Sequence, residues 1–301
     1  MAYLKRLPRF EYASPGSLAE VCALTHGIAD GEVLLLAGGT DAILQMRRRE
    51  RTPRCVVGLK GVAELNFVRE ESDGSLCLGA MTTLQELLAS PLVRTRYGIL
   101  AGTASQIGGR ELRNVATVGG NIAGALPCAD MPPALMTLDA QIKLSSRQGE
   151  RWVALEKFFP EFGRTSALEG EVLSAIRLPR APANGAGVYL KYHDRASMDM
   201  TVVGVSAFVV RDGDVVRDVR LAYANSAPTV FRAREAEAQL CDRSMSDEAL
   251  DAVAEAASRE SNPRSSWRAN AEYRGKLIRA LTKRAIREAW DKAACAPEVH
   301  S

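Results

Sequence analysis

The 301-residue sequence lacks most of the features that announce a binding chemistry. No apolar run approaches the ~18 residues needed to cross a bilayer, so no transmembrane helix is expected. The opening stretch MAYLKRLPRFEYASPG has no apolar core of the signal-peptide kind, and a cytoplasmic location is the default expectation. Histidine is scarce, with only His26, His193 and His300. The six cysteines are Cys22, Cys55, Cys77, Cys128, Cys241 and Cys295; none form C-x-x-C, and none cluster at metal-ligand spacing. A zinc site or an iron–sulfur cluster held by this chain alone is therefore not expected, and the cysteines read mainly as small buried hydrophobes. A net charge of +3 is too small to argue for nucleic acid or an anionic membrane. There is no internal repeat and no low-complexity segment.

What remains is an ordinary globular composition, 47% apolar and 25% charged, in a chain long enough for one large domain or two to three small ones. Ser17-x-x-Glu20 is a capping-box pattern before a helix that Gly27 can stop. Val33 to Ala37 is a continuous apolar run, as in a strand buried on both faces. Gly38-Gly39 ends it, and Thr40 can cap a helix over Ala42 to Met46. The run Arg47-Arg48-Arg49-Glu50-Arg51 closes that helix. It reads as a solvated helix end whose cations complement the dipole, or as a docking patch for an acidic partner; no aromatics interleave, which argues against nucleic acid. Strands follow at Cys55 to Leu59 and Ser75 to Ala80, then a capping box at Thr83-x-x-Glu86 and a helix over Tyr97 to Ile107. Gln141 to Ser145 and Trp152 to Leu155 make a hairpin, and Glu171 to Leu178 is a strand. A Pro-, Ala- and Gly-rich boundary falls at Pro179 to Gly187. Beyond it, strands at Val188 to His193, Val202 to Arg211 and Val215 to Ala224 precede helices at Phe231 to Leu240, Asp247 to Glu260 and Ala271 to Trp290. Strands first and helices after describe an α+β domain.

Two glycine-bearing stretches stand out. Each follows a β-rich run: Leu34-Leu35-Leu36-Ala37-Gly38-Gly39-Thr40-Asp41, and Ala116-Thr117-Val118-Gly119-Gly120-Asn121. Neither has the G-x-G-x-x-G spacing, and neither is followed by Gly-Lys-Ser/Thr, so both dinucleotide and P-loop fingerprints are excluded. Each could be a tight turn without a ligand. Together they suggest two jaws that offer backbone N–H groups to one ligand with two phosphates. Thr40, Thr117 and Asn121 could add side-chain hydrogen bonds, and Asp130 could accept from sugar hydroxyls.

AGGTDAILQMR (Ala37 to Arg47) and NVATVGGNIAGALPCADMPPALMTLDA (Asn114 to Ala140) resemble the FAD-binding subunits of molybdenum hydroxylases. That family includes xanthine dehydrogenases, carbon monoxide dehydrogenases and aldehyde oxidases. The resemblance covers nearly the whole chain. EVLSAIRLP, YLKYHDRASMDMTVVGVSAFV and NPRSSWRANAEYRGKLIRALTKRAI look like bacterial xanthine dehydrogenase flavin subunits, the last two favouring that enzyme over the carbon monoxide one. The resemblance implies a vanillyl-alcohol-oxidase (PCMH) type FAD-binding domain over 1–180, in two α/β subdomains of about 1–55 and 56–180. A C-terminal antiparallel-sheet-plus-helices domain over 187–293 would follow.

The resemblance also implies roles. Leu34 to Asp41 would wrap the FAD pyrophosphate, and Ala116 to Asn121 would cradle it from the other side. Asp130 would bind hydroxyls on the adenosine side. Val172 or Leu173 would pack on the flavin or adenine, Ile107 would replace an aromatic contact by aliphatic packing, and Leu190-Lys191 would lie near the isoalloxazine. On residue type alone Lys191 is an ordinary surface cation. His193, Asp194 and Asp199 are turn residues, or a loop that shields the flavin. The segment Gly120 to Asp130 is compact and holds only Cys128, unlike the cluster-bearing 4-hydroxybenzoyl-CoA reductase relatives. The implied protein is the flavoprotein subunit of a heterotrimeric oxidoreductase of purine metabolism. Its 2Fe-2S clusters and molybdopterin would sit on a small and a large partner subunit, and NAD would accept the electrons. No catalytic side chain and no metal site is demanded of this chain. An FAD subunit for another substrate (aldehyde, carbon monoxide or aromatic) and a stand-alone flavin oxidoreductase are the alternatives.

Overall fold

The computed structural model describes residues 6–28, 31–195 and 198–294; Cys295 and His300 lie outside the described residues. The chain begins with a small parallel sheet of β1 (Glu11–Ala13), β2 (Val33–Leu36) and β3 (Cys55–Gly58), in the order β1-β3-β2. Helices α1 (Leu18–Thr25) and α2 (Ala42–Arg48) make the crossovers that parallel neighbours require. Ser17 Oγ accepts from Glu20 N, while Glu20 accepts from Gly16 N and not from Ser17, so only half of the expected capping box forms. The apolar run at Val33 marks an edge strand, not one buried on both faces: of its residues only Leu34 is buried. Its apolar side chains are used on a cleft wall.

The second sheet is antiparallel, with β4 (Val68–Glu70), β5 (Leu76–Gly79), β6 (Gln141–Ser146), β7 (Gly149–Ala154) and β8 (Val172–Leu178) in the order β4-β5-β8-β6-β7. Between β5 and β6 the chain folds into short helices: α3 (Leu84–Ala89), α4 (Pro91–Arg96), α5 (Gly98–Ser105), α6 (Arg110–Arg113), α7 (Val118–Ala123) and α8 (Met131–Met136). α3 carries the full Thr83–Glu86 capping box. These helices and one face of the sheet enclose the largest core, around Leu78, Leu84, Leu100, Ile122, Leu135 and Ile142.

The third sheet is the meander β9 (Gly185–Tyr192), β10 (Val203–Asp212) and β11 (Val215–Ala224), extended by β12 (Phe231–Arg232). The helix expected from Phe231 to Leu240 is shortened to α9 (Arg234–Ala238). Phe231 and Arg232 pair with Tyr223 and Ala222 instead, and the Phe231 ring stacks on Tyr223 at 5.3 Å. The short strand β13 (Arg243–Ser244) also pairs with β11. Helices α10 (Asp247–Glu260) and α11 (Ala271–Ala294) cover the meander with a second core built on Val205, Leu221, Val253, Ile278 and Ile286. Asp139 joins Arg220 and Arg232, and Glu156 joins Arg234, so ion pairs tie the α8 and β7 ends to this last layer. Among the described residues no helix is long and apolar enough to cross a membrane.

Candidate functional site

The free edge of β2, the N-terminus of α7 and the loop before β8 enclose a cleft of about 820 Å³, within the ~300–1,000 Å³ usual for small-molecule sites. Its first wall is the β2–α2 connection. Among the described residues, none of the backbone N–H groups from Ala37 to Asp41 donates to a protein acceptor. Such a row of N–H groups is costly unless water or a ligand accepts from it. The two glycines there serve different ends. Gly39 has φ +72°, a conformation that favours glycine. Gly38 has no room for a side chain: a Cβ would stand 1.9 Å from the Val115 carbonyl oxygen. The bare backbone at Gly38 is what lets the two jaws touch. Thr40 does not cap α2; Asp41 takes that place, and its carboxylate makes no capping bond. Desolvation among the cleft walls pushes the Asp41 pKa up.

The second wall differs from the sequence expectation. Gly119 and Gly120 do not form a turn: they lie in the first turn of α7, capped by Thr117. Their N–H groups are already used. Val118 N donates to Thr82 O, Gly119 N to Ala80 O, Gly120 N to Thr117 Oγ1 and Asn121 N to Thr117 O, all at 2.9–3.0 Å. Gly119 is buried against the second sheet, where a Cβ would meet the Ala80 oxygen at 2.6 Å. Gly120 faces the cleft, and its missing side chain leaves space beside Ala37. This jaw supplies shape and not a row of free donors, because a helical first turn capped by Thr117 satisfies itself.

The structure brings Leu34, Leu35, Ala37, Gly38, Gly39, Thr40, Asp41, Ala116, Thr117, Gly120, Asn121 and Leu173 together on the cleft. It does not place the other expected residues there. Leu36 packs with Leu34, Met46 and Val56; Ile107 and Val118 enter the largest core; Val172 enters the core between the first two sheets. Leu190 packs against the third layer. Asp130 and Lys191 form a buried ion pair at 2.8 Å. The Asp130 oxygens also accept from Tyr189 OH at 2.6 Å and Thr201 Oγ1 at 2.5 Å. Asp130 Oδ1 is taken by the two hydroxyls and Oδ2 by Lys191, so the carboxylate is engaged within the protein, and Lys191 is no surface cation. Burial, reinforced by Asp130, drives the Tyr189 pKa well above its ordinary value, so that hydroxyl stays a donor. This cluster reaches the cleft through Asn121, whose Oδ1 accepts from Met131 N, the residue after Asp130.

Sequence reasoning missed the third wall, Gly163 to Gly170. Gly163 and Gly170 both have positive φ, and Arg151 holds the segment by a bidentate bond to Glu171 and a bond to Ser166 O. A Gly-flanked loop opening directly onto a strand was the available signal. Gln45 and Arg51 were also missed. Among the described residues no group of three or more potential metal ligands exists, around Cys128 or elsewhere. Burial, then the nearby Asp130 charge, raises the Cys128 thiol pKa.

Residues 8–181 match the family model described as the FAD binding domain in molybdopterin dehydrogenase. The chain belongs to that family. Residues 188–289 match the carbon monoxide dehydrogenase flavoprotein C-terminal domain. A xanthine dehydrogenase FAD-binding subunit of Escherichia coli is 33% identical over 93% of this chain and 97% of its own length. The carbon monoxide dehydrogenase medium chain of Hydrogenophaga pseudoflava is also 33% identical, over 95% of this chain and 99% of its own. A solved structure of carbon monoxide dehydrogenase from that organism superposes with a TM-score of 0.92, covering 95% of this chain and 99% of that one. Quinoline 2-oxidoreductase from Pseudomonas putida 86 gives 0.89 at 28% identity, covering 96% and 99%. As a molybdopterin dehydrogenase FAD-binding domain, the cleft fits its cofactor class. The donors at Ala37 to Asp41, unmet among the described residues, suit a diphosphate, and the apolar Leu34, Leu35 and Leu173 suit flat rings.

Proposed function

We propose that this chain is the electron-transferring flavoprotein subunit of a molybdenum hydroxylase of xanthine dehydrogenase type. FAD would be held in the cleft. The observation that carries the reading is the row of N–H groups from Ala37 to Asp41 without protein acceptors, on a cleft closed by glycine contacts in a chain of this family. Ala37 to Asp41 would donate to the diphosphate. Gly120 and Asn121 would shape the opposite side, with the Asn121 amide nitrogen available to donate. Leu34, Leu35 and Leu173 would exclude water from the rings. A bound flavin would supply the redox chemistry, and the chain would position and insulate it. No side chain of this chain is required to move a proton.

Electrons would arrive from a 2Fe-2S subunit, leave to NAD, and originate at a molybdenum subunit that oxidises a purine. The likeness to xanthine dehydrogenase subunits over nearly the full chain supports this choice. An equal identity to a carbon monoxide dehydrogenase medium chain favours a second reading, in which the same subunit serves another substrate. The purified chain, loaded with FAD under anaerobic conditions and mixed with NADH, tests the proposal. Flavin absorbance at stoichiometric FAD and its bleaching by NADH are the expected results. A chain that takes up no FAD rejects the cofactor assignment; one that holds FAD but is not bleached rejects NAD.

A further inference from the structure

The arginine-rich run after α2 does more than close a helix. Arg49 adopts a left-handed conformation, φ +65°, and its Nη1 donates back to Met46 O. The chain reverses there: Glu50 N and Arg51 N both donate to Gln45 O. Gln45 lies one helical turn beyond Asp41, so the reversal carries Arg51 back to the side of α2 that faces the cleft. Glu50, Arg51, Thr52 and Pro53 all line it, whereas Arg47, Arg48 and Arg49 do not.

The charges on the cleft are unevenly matched. Glu171 is neutralised by Arg151 at 2.6–2.7 Å, and Arg164 is met by Glu161 at 3.2 Å. Asp41 and Glu169 add further negative charge to the lining, whereas Glu50 is met by Arg48 at 3.9 Å. Arg51 is the lining cation that makes no ion pair with a described residue. A diphosphate between these walls would meet backbone dipoles and uncompensated carboxylates unless one cation faced it. N–H groups orient phosphate oxygens but cannot cancel two formal charges.

We infer that Arg51 is the charge partner of the cofactor's diphosphate, a binding residue separate from the two glycine jaws. The inference rests on the cofactor reading above. It makes Arg51 a determinant of how tightly, and with what salt dependence, the cleft holds a dinucleotide. A guanidinium is suited to this place, since it stays charged at any working pH and donates to two phosphate oxygens at once.

The test is FAD binding to the flavin-free full chain, followed by quenching of flavin fluorescence, for wild type, Arg51→Gln and Arg48→Gln at low and high sodium chloride. Arg48 belongs to the same run but stands off the cleft, paired at 3.9 Å with Glu50. The expected result is affinity about tenfold weaker in Arg51→Gln at low salt, the scale of one hydrogen bond to a charged group. The gap should close as salt rises, with Arg48→Gln matching wild type throughout. Arg51→Lys should recover the salt-sensitive part of the loss, because it restores the charge but not the paired donors. Equal affinity in wild type and Arg51→Gln, or an equal loss in Arg48→Gln, overturns the assignment of Arg51 and leaves the cleft reading intact. A wild-type chain that does not quench flavin overturns both.

Discussion

Replacing Gly38 by alanine places the smallest possible side chain where two backbones touch. The added Cβ would stand 1.9 Å from the Val115 oxygen, 2.7 Å from its carbonyl carbon and 3.0 Å from Ala116 Cα, where ordinary contact begins near 3.4 Å. The obstacle is backbone, so no rotamer change relieves it, and the jaws must part by about 1.5 Å. Overpacking of this kind costs ~1–3 kcal/mol. At about 2–4 °C per kcal/mol, the melting temperature of the flavin-free chain should fall by several degrees. Parting the jaws would also pull the Ala37–Asp41 donors away from the diphosphate proposed to seat on them. Loss of even one such bond weakens FAD binding about tenfold or more. Gly39→Ala should behave differently. Its nearest neighbour would be Ile43 Cγ1 at 3.2 Å, and its cost is the positive φ, ~1–2 kcal/mol. Gly98→Ala, with nothing within 4 Å, is the control. Calorimetry of the flavin-free proteins and bound flavin per chain provide the two readouts. A Gly38→Ala chain with unchanged melting temperature and full flavin would falsify the account of the jaws.

Asp130→Ala or Lys191→Met should each cost ~3–5 kcal/mol by leaving one buried charge alone, while the double variant should cost well below the sum; urea unfolding measures the coupling. Gly119→Ala should destabilise the flavin-free chain through its clash with Ala80 without altering the salt dependence of FAD binding, since this glycine lies behind the cleft wall. For Asp41, the folded pKa is raised by desolvation, so its ionisation opposes folding once the pH exceeds the ordinary carboxylate value. Asp41→Asn should therefore stabilise the chain at neutral pH by about a few tenths of a kcal/mol after solvent screening, read as a small rise in melting temperature that vanishes in acid. A gain that persists below the carboxylate range would contradict the assignment.

The layers were legible where local pattern and tertiary role agree. The strands of the meander pair in sequence order, and α10 runs from Asp247 to Glu260 as its pattern predicts. Three failures share one cause: residue pattern does not reveal what lies opposite. Val33 to Ala37 has the composition of a central strand, yet β2 is an edge, because the ligand cleft takes the place of a neighbouring strand. Gly119-Gly120 has the composition of a turn, yet both continue a helix, because Thr117 caps it and Ala80 leaves room only for hydrogen. Asp130 stood as a lone carboxylate in a loop, and its partners Tyr189, Lys191 and Thr201 come from sequence more than fifty residues away. Of the two glycine pairs, only the first leaves its N–H groups without an acceptor among the described residues.

The free edge of β2 carries a consequence for the life of the protein before it is assembled. Freshly made chain presents an apolar, hydrogen-bond-hungry margin, and such margins recruit strands from other molecules. The margin is short, four residues, and the twist at Gly38-Gly39 cuts it off. A dinucleotide seated beside it would finish the sealing. On the proposed placement, cofactor loading would act as a chaperoning event as well as the installation of a redox centre. Flavin-starved cells should accumulate this chain in aggregates, and supplying the vitamin should return it to solution.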